Sequence, residues 1–363
     1  MKLGIVGLPN VGKSTIFNVM THNKAQTNNY MFSTLEPNVG IVEVPDKRVD
    51  FLSQLYDTDK TTYATIEFVD IPGLVRGSNK GEGVGNKFLS SIQQVDALCH
   101  VVRCFDDDDL MHVDGSVDPV RDVETINLEL IFSDIEMIER RIERTKKASK
   151  SGDKSFLPVL KFYEDLNEHL LEGKMAKSFH VENAEQEALL NELFLITVKP
   201  VLYVANVDED GLSTDNDYTK ALEDLAEHEG SEVIKVCAKF EEDLSSLTKE
   251  EREEFLSDLG INETGLERLI KKSYKLLDLM SFLTAGKKEV RAWTIKNNTT
   301  APKAAGKIHS DFERGFIRAE VFSYDDIKRL GSYNAVKEKG LVRSEGKSYI
   351  FKEGDIVLFR FNV

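Results

Sequence analysis

Residues 3–21 read LGIVGLPNVGKSTIFNVMT, and they contain the motif G-x-x-x-x-G-K-S from Gly7 to Ser14. The apolar residues 3–6 predict a short buried strand, and residues 14–21 predict the helix that follows it. Gly7 and Gly12 allow the connecting loop to turn its amide groups toward a phosphate. A motif of this length between a strand and a helix predicts a P-loop, which binds the phosphates of a nucleoside triphosphate.

The P-loop supplies most of the candidate ligands. The helix that begins near Lys13 offers unpaired N–H groups and the positive end of its dipole. The Lys13 ammonium can reach the β- and γ-phosphates, which makes it a catalytic candidate, and the Ser14 hydroxyl can bind Mg²⁺. The predicted nucleotide-binding residues of this loop are Asn10, Val11, Gly12, Lys13, Ser14 and Thr15.

Length and composition favour a water-soluble protein of two or three domains. The chain has 363 residues, of which 41% are hydrophobic and 30% are charged. No apolar run approaches the roughly 18 residues of a membrane helix, and no signal peptide fits before the first strand. Three scattered cysteines are too few for a disulfide framework or a zinc site. We therefore expect a cytoplasmic protein that forms no stable oligomer and binds no membrane.

The net charge of −16 is unevenly distributed. Residues 279–363 hold 16 Lys and Arg against 10 Asp and Glu, whereas the remainder holds 31 against 53. The basic C-terminal segment can be a surface for an acidic partner such as RNA. It can equally be a scattered, solvated surface, and the sequence leaves the two interpretations open.

Two segments after the P-loop are expected to complete the metal and phosphate site. In the polar residues 28–40, Thr34 is our candidate for a second Mg²⁺ ligand, with Ser33 as the alternative. The apolar residues 65–69 predict a strand that ends in Asp70-Ile71-Pro72-Gly73. Asp70 would hold Mg²⁺ through water, and the Gly73 amide would meet the γ-phosphate. The four glycines of residues 75–86 predict a flexible switch loop.

A helical hairpin is predicted to interrupt the nucleotide-binding domain. Ile131, Ile135, Ile138 and Ile142 recur at spacings of four, three and four, which places them on one face of a long helix. A second apolar seam follows within residues 160–170. Basic residues gather near the tip, where they can contact RNA phosphates or end a solvated helix: Arg140, Arg141, Arg144, Lys146, Lys147 and Lys150.

The chain resembles the YchF/Obg-like ATPase family, a group of ribosome-binding P-loop ATPases related to the Obg GTPases. The resemblance covers nearly the whole chain and rests on long runs such as GLPNVGKS, DIPGLVRGSNKGEGVGN, FDDDDLMHVDGSVDP, NVDE and AAGKIHSDFERGFIRAEV. It implies an α/β P-loop G domain, an inserted coiled-coil hairpin and a C-terminal α+β TGS domain of the ubiquitin-like β-grasp type. We predict G-domain parts at residues 1–119 and 197–278, the insertion at 120–196 and the TGS domain at 279–363.

The predicted base-reading element departs from the usual N-K-x-D of GTPases. Asn206 is retained, but Val207 replaces the lysine and Glu209 replaces the aspartate. Because Glu209 is one methylene longer, its paired hydrogen bonds to guanine are disturbed, and a preference built on such pairing is lost. The adenine amino group could instead be read by backbone carbonyls or by Asn206. The family prefers ATP, so we predict ATP binding with weaker use of GTP.

Hydrolysis requires a group that positions water, and the usual one is missing. Leu74 follows D-x-x-G where Ras-like enzymes have glutamine. Asn10 occupies the position that helps hold K⁺ in cation-activated relatives. His112 is the second candidate for positioning water, after Asn10 with its K⁺ ion. Its neutral ring could accept a hydrogen bond from the water, and the family resemblance implies a catalytic histidine in this loop. The preceding Asp106–Asp109 run is expected to be solvated, with a two-metal site as the alternative.

Three functional interpretations remain. The first is an ATPase that associates with ribosomes, through the large subunit and RNA, and acts as a nucleotide-dependent switch in translation or stress regulation. The second is a GTPase of the Obg type, which nucleotide affinity would distinguish. The third is an RNA- or ribosome-binding adaptor whose nucleotide site is only regulatory, which binding to ribosomes without nucleotide would favour.

Overall fold

The computed structural model describes residues 1–22, 38–71, 91–149 and 156–362. The chain forms two compact units: Met1–Gly40 with Glu67–Leu269, and Ile41–Ile66 with Ile270–Val363. Within the described ranges, every helix is too short or too polar to cross a membrane. Several predicted residues fall outside the described ranges, namely Ser33, Thr34, Gly73, Leu74, the loop at 75–86 and Lys150.

The strands and helices are numbered in chain order. The strands are β1 (Lys2–Val6), β2 (Asn38–Glu43), β3 (Thr61–Thr62), β4 (Thr65–Asp70), β5 (Ala97–Arg103), β6 (Val201–Asn206), β7 (Glu232–Val236), β8 (Leu279–Ala285), β9 (Val290–Lys296), β10 (Phe316–Ser323), β11 (Arg343–Glu345) and β12 (Asp355–Phe361). The helices are α1 (Lys13–His22), α2 (Lys47–Tyr56), α3 (Pro119–Ser149), α4 (Phe156–Leu171), α5 (Ala184–Glu192), α6 (Asp217–His228), α7 (Ala238–Ser245), α8 (Lys249–Asp258), α9 (Gly265–Leu276), α10 (Ala301–Ile308), α11 (Ser310–Arg314), α12 (Tyr324–Leu330) and α13 (Tyr333–Glu338).

The first sheet has the strand order β2-β4-β1-β5-β6-β7. The neighbouring strands from β4 to β7 pair in parallel. Every residue of β5 and β6 is buried, as expected for central strands of a parallel sheet covered on both faces. Because parallel strands share one carboxyl edge, the loops that follow β1, β4, β5, β6 and β7 lie at that edge.

The predicted helical hairpin is confirmed as α3 and α4. The isoleucine seam of α3 and the apolar seam of α4 form one buried core, to which Ile131, Ile135, Ile138, Ile142, Phe162, Tyr163, Leu166 and Leu170 contribute. Near the far end of α3, Lys146 pairs with Glu164 of α4 at 2.8 Å.

The base of the hairpin depends on one buried carboxylate. Asp134 of α3 is fully buried and accepts hydrogen bonds from the amides of Ile196 and Thr197 and from the Thr197 hydroxyl, at 2.7 to 2.9 Å. Burial raises the pKa of Asp134, and the hydrogen bonds oppose that rise. These three bonds fix the segment that leads into β6 against α3, because two buried amides would otherwise lack partners.

The second unit contains a mixed sheet with the order β11-β10-β12-β8-β9-β3. Helix α10 packs three alanines into its core, Ala301, Ala304 and Ala305, beside Phe282, Val321 and Phe359 of the sheet. Small alanine side chains let a helix approach a sheet closely. The α+β character predicted for the C-terminal region is therefore confirmed.

Two C-terminal elements differ from what the sequence pattern predicts. The pattern predicts a helix from about residue 264 to residue 280, but residues 279 and 280 begin β8, because α9 ends at Leu276 and Asp278 takes a left-handed backbone conformation with φ of 56°. The pattern also predicts a strand at residues 348–351, but these residues form only an isolated bridge between Ile350 and Thr300. The edge strand is instead β11, which pairs with β10 in antiparallel fashion.

Residues 41–66 belong to the second unit, although they precede Asp70 in sequence. Helix α2 is capped by Asp46 and packs against β8 and β9. Strand β3 extends the sheet by pairing with β9 in parallel. Arg48 bonds both Asp46 and Glu353, which joins the start of α2 to the turn before β12.

A buried histidine in β5 makes stability depend on pH. His100 is 3% exposed, and burial lowers its pKa to about 3. The unfolded chain takes up this proton below about pH 6.5, whereas the folded chain resists it, so stability is lost as the pH falls through 6.5. At pH 5 this contribution amounts to about 2 kcal/mol.

We therefore expect His100→Phe to reduce the loss of unfolding free energy between pH 7 and pH 5 by about 2 kcal/mol. Urea titrations at the two pH values would measure it. The exposed His180 provides the control, since His180→Gln should leave the difference unchanged. An H100F protein with the wild-type pH dependence would contradict the prediction.

Candidate nucleotide-binding site

The carboxyl edge of the first sheet gathers the residues of the site. Strand β1 leads into the P-loop, and β4 ends at Asp70. The next strands end at Arg103 and Asn206, and Cys237 caps the helix that follows β7. Open parallel sheets bind their ligands at this edge.

The two glycines of the P-loop are required for different reasons. Gly12 has φ of +92°, and a Cβ on it would lie 2.3 Å from Nδ2 of Asn206. At Gly7 a Cβ would lie 2.6 Å from the carbonyl oxygen of Val101 in β5. Asn10 also takes positive φ, 63°. Gly12 therefore permits the backbone turn of the loop, and Gly7 permits its close approach to β5.

The structure brings the predicted phosphate ligand Lys13 and the predicted metal ligand Asp70 together. The Lys13 ammonium lies 2.6 Å from Oδ1 of Asp70, and both side chains are largely buried. Ser14 is exposed at the start of α1. Hydroxyl and carboxylate oxygens are hard ligands that suit Mg²⁺, so the chemistry of Ser14 and Asp70 fits that ion.

Asn206 joins the P-loop to the turn after β7. Its side chain is 4% exposed. It donates a hydrogen bond to the carbonyl of Val11 at 2.9 Å and accepts one from the amide of Ala238 at 3.0 Å. These two bonds leave the Asn206 amide one further N–H and one further lone pair, so its reading of the adenine amino group stays a prediction.

Val207 and Glu209 differ sharply in exposure. Val207 is 1% exposed, and its amide donates to the carbonyl of Val236 at 2.9 Å. Its side chain therefore packs inside the fold, so any contribution to binding comes through packing or the backbone. Glu209 is exposed at the start of the short 3₁₀ turn Asp210–Leu212, which leaves its carboxylate accessible to a ligand.

The segment after β5 is ordered by one arginine. We call residues 104–112 the Arg103 loop. Arg103 is 2% exposed, and its guanidinium donates to the carbonyls of Phe105, Leu110 and Asp107 at 3.0, 2.7 and 3.1 Å. At the end of this loop the Asn10 amide donates to the carbonyl of Met111 at 3.2 Å. The Arg103 loop therefore touches the P-loop.

His112 is held more tightly than the sequence predicted. Its ring accepts a hydrogen bond at Nδ1 from the amide of Asp114, and Nε2 lies 2.8 Å from Oδ2 of Asp122. Its side chain is only 4% exposed. A neutral ring with Nδ1 as acceptor carries its proton on Nε2, so both nitrogens are engaged, and neither can accept a bond from water in this arrangement.

The acidic residues at 106–109 are exposed, as expected for a solvated run. A closer group of possible metal ligands comprises His112, Asp114 and Asp122, whose ligand atoms lie within 4.8 Å of one another. Arg121 already bonds Asp122 at 3.1 Å and lies 3.7 Å from Asp114. Since this cation offsets the carboxylate charge, the group is an ion-pair network.

Sequence reasoning missed the residues that support the Arg103 loop. Arg103 itself carried a weak signal, namely a charge at the end of an otherwise apolar strand. The other two contacts come from distant positions: Asn216 donates to the carbonyl of Cys104 at 2.8 Å, and the Tyr218 hydroxyl donates to Asp106 at 3.1 Å. No sequence pattern links residues so far apart.

The parallel sheet, the P-loop between β1 and α1, and the Lys13–Asp70 pair define the class: this is a P-loop nucleoside-triphosphate-binding protein with a GTPase-like G domain. Residues 2–145 match the family described as 50S ribosome-binding GTPase. Residues 279–362 match the C-terminal YchF-GTPase family, described as a protein of unknown function (DUF933).

Full-length relatives agree with this class. A protein from Bacillus subtilis (strain 168), named Ribosome-binding ATPase YchF, is 52% identical over 362 residues, which cover 99% of each chain. One of the same name from Escherichia coli O157:H7 is 48% identical, covering 100% of this chain and 99% of that protein. The solved structure of the Schizosaccharomyces pombe YchF GTPase is 36% identical with a TM-score of 0.85, covering 99% of this chain and 97% of that one.

The chain belongs to the YchF family. The resemblance inferred from the motifs is confirmed, and so is the predicted fold class of a G domain followed by the C-terminal domain of this family.

We expect Asn206→Ala to weaken binding of a non-hydrolysable ATP analogue by about 10- to 100-fold, because two buried backbone groups lose their partner. Calorimetric titration with Mg²⁺ present would measure the affinity. Asn183 caps α5 in the insertion, so Asn183→Ala serves as the control and should leave affinity unchanged. Wild-type affinity in N206A would show that this amide does not organise the site.

Proposed function

We propose that this protein is a ribosome-associated P-loop ATPase that cleaves the bond between the β- and γ-phosphates of ATP. The observation that carries the proposal is the exposed Glu209 beside the buried Asn206, at the sheet edge that holds the P-loop. The relatives named ribosome-binding ATPases provide independent support. We further propose that the protein acts as a monomer in the cytoplasm, as a nucleotide-dependent switch in translation or stress regulation.

ATP is the preferred substrate in this proposal, and GTP is used more weakly. Guanine recognition needs a short carboxylate at a fixed distance, whereas Glu209 is longer and exposed. Asn206 keeps a second lone pair on its amide oxygen beside its bond from Ala238, so this oxygen or backbone carbonyls near Glu209 would accept the adenine amino group. The alternative is a GTPase of the Obg type, and the Schizosaccharomyces pombe relative is itself named a GTPase.

Mg²⁺ is the proposed metal cofactor. Ser14 and Asp70 would hold it, together with Thr34 from outside the described residues, and the ion would offset charge on the phosphates. Asn10 is the proposed K⁺ ligand. Its amide nitrogen faces the Met111 carbonyl, so its oxygen faces away and is available to a cation.

Lys13 is the proposed catalytic cation on the transferred phosphate. In the described conformation it pairs with Asp70, so phosphate binding would exchange one charge partner for another. Gly73 is proposed to offer its amide to the γ-phosphate, and Leu74 cannot orient water. His112 can position the water only after one of its two hydrogen bonds is exchanged.

Nucleotide preference tests the proposal directly. We expect the Mg²⁺-loaded protein to bind a non-hydrolysable ATP analogue at least about tenfold more tightly than the GTP analogue. Calorimetric titrations in KCl and in NaCl would measure both affinities, and tighter binding in KCl would support a K⁺ site. Glu209→Asp restores the shorter carboxylate and should narrow the difference. Tighter binding of the GTP analogue by the wild type would overturn the ATPase assignment.

The ribosome contact is proposed to involve the tip of the insertion. Arg140 and Arg144 are exposed on α3, and such a group of cations suits RNA phosphates. The alternative function, a ribosome-binding adaptor with a merely regulatory nucleotide site, rests on the same cations.

We expect Arg140→Glu/Arg144→Glu to weaken binding to 50S subunits and to flatten its salt dependence, because fewer counterions are released. Co-sedimentation over a range of KCl concentrations would measure both. The control is Lys47→Glu/Lys220→Glu, which changes net charge equally at exposed positions outside the insertion. Equal weakening by both pairs would contradict a specific contact at the tip, and binding that ignores nucleotide would favour the adaptor.

A further inference from the structure

Arg103 is a buried cation that has no role in the site described so far. It ends β5 and is among the largest fully buried side chains. Its three guanidinium nitrogens each reach a different carbonyl, those of Phe105, Asp107 and Leu110. The guanidinium also lies 4.9 Å from the centre of the Phe105 ring.

This arrangement is costly for a residue that only fills the core. Taking a guanidinium out of water costs several kcal/mol, and among the described residues no carboxylate pairs with Arg103. An apolar side chain would avoid that cost, so stability alone does not account for the charge. What the arginine achieves is a defined backbone path, because its planar fork bonds three carbonyls in fixed directions.

The backbone path ends at the P-loop. Leu110, which Arg103 bonds at 2.7 Å, is followed by Met111, whose carbonyl receives the Asn10 amide at 3.2 Å. Because that carbonyl attracts the amide nitrogen, the oxygen of Asn10 faces the other way. The next residue, His112, is bonded to Asp122 of α3. Arg103 therefore fixes both the P-loop contact and the start of the His112 network.

The rest of the Arg103 loop is supported from outside. Tyr218 of α6 donates its hydroxyl to Asp106, and Asn216 holds the Cys104 carbonyl. Within the run of four aspartates, Asp107 turns its carbonyl inward to Arg103, and all four residues are exposed. The acidic run therefore forms the outer side of a turn built around a buried cation.

We propose that Arg103 is a positioning residue for ATP hydrolysis, which acts through the Arg103 loop on Asn10 and His112. This inference rests on the proposed ATPase function. Arg103 acts indirectly in this proposal, because it is buried and each of its three guanidinium nitrogens bonds the loop. It sets the position of groups at the P-loop, and small errors in such positions lower turnover by large factors.

The test compares turnover with affinity in Arg103→Lys. A single ammonium nitrogen does not reproduce the planar fork whose three nitrogens reach three carbonyls in different directions, so we expect kcat to fall about 10- to 100-fold while the Kd of an ATP analogue changes less than about threefold. Tyr218→Phe removes only an exposed bond to the same loop and should lower kcat about two- to fivefold. In Arg103→Ala, added guanidinium ion should restore part of the turnover, whereas ammonium ion should not.

Asp134→Asn provides the matched control, because it disturbs a buried polar network remote from the loop. It should lower the Tm and leave kcat unchanged at 25 °C. Wild-type kcat in R103K and Y218F would overturn the inference. The inference would also fail if, in every variant, kcat and affinity fell in proportion to Tm and guanidinium ion restored no turnover to R103A. A wild-type protein that does not hydrolyse ATP would instead refute the proposed function.

Discussion

The amide of Asn206 is the contact on which the nucleotide site depends. Strand β6 delivers it, buried, to the carboxyl edge, where it pairs with the carbonyl of Val11 and the amide of Ala238. Buried backbone groups must be paired, so the residue that pairs both also fixes the distance between them. The same contact requires glycine at position 12, because any Cβ there would collide with the Asn206 amide.

A second constraint is the use of buried or half-buried cations to hold backbone carbonyls. Arg103 does so after β5, and Lys199 does so at the end of the helical turn before β5, where it bonds the carbonyls of Ile92, Gln93 and Val95. Burial lowers the pKa of Lys199. The strongly acidic chain keeps its carboxylates mainly at the surface. These two cations instead bond backbone carbonyls in turns, where no helix or strand supplies the hydrogen-bond donors.

The two units show that burial, and not chain order, assigns a segment to a core. Residues 41–66 lie in sequence between Thr34 and Asp70, both predicted metal ligands of the first unit. Yet Val49 and Leu52 of α2 are buried in a helix that packs against β8 and β9. The sequence predicted residues 1–119 as one continuous part of the G domain, so it did not assign α2 to the second unit. The apolar pattern of a helix shows which face is buried but not which sheet covers that face.

Local patterns in the sequence were sufficient for most of the elements and for part of the site. The spacing of G-x-x-x-x-G-K-S placed Lys13, the strand ending at Asp70 placed the metal candidate, and the isoleucine seam placed α3, because each signal lies within one element. Asn206 was identified by its motif, but its partners were not. Tertiary structure alone decided that Asn206 binds the P-loop, that His112 binds Asp122, and that Arg103 shapes the loop beside Asn10. These contacts join residues brought together by parallel strands that are far apart in the chain, and neither periodicity nor spacing records such pairings.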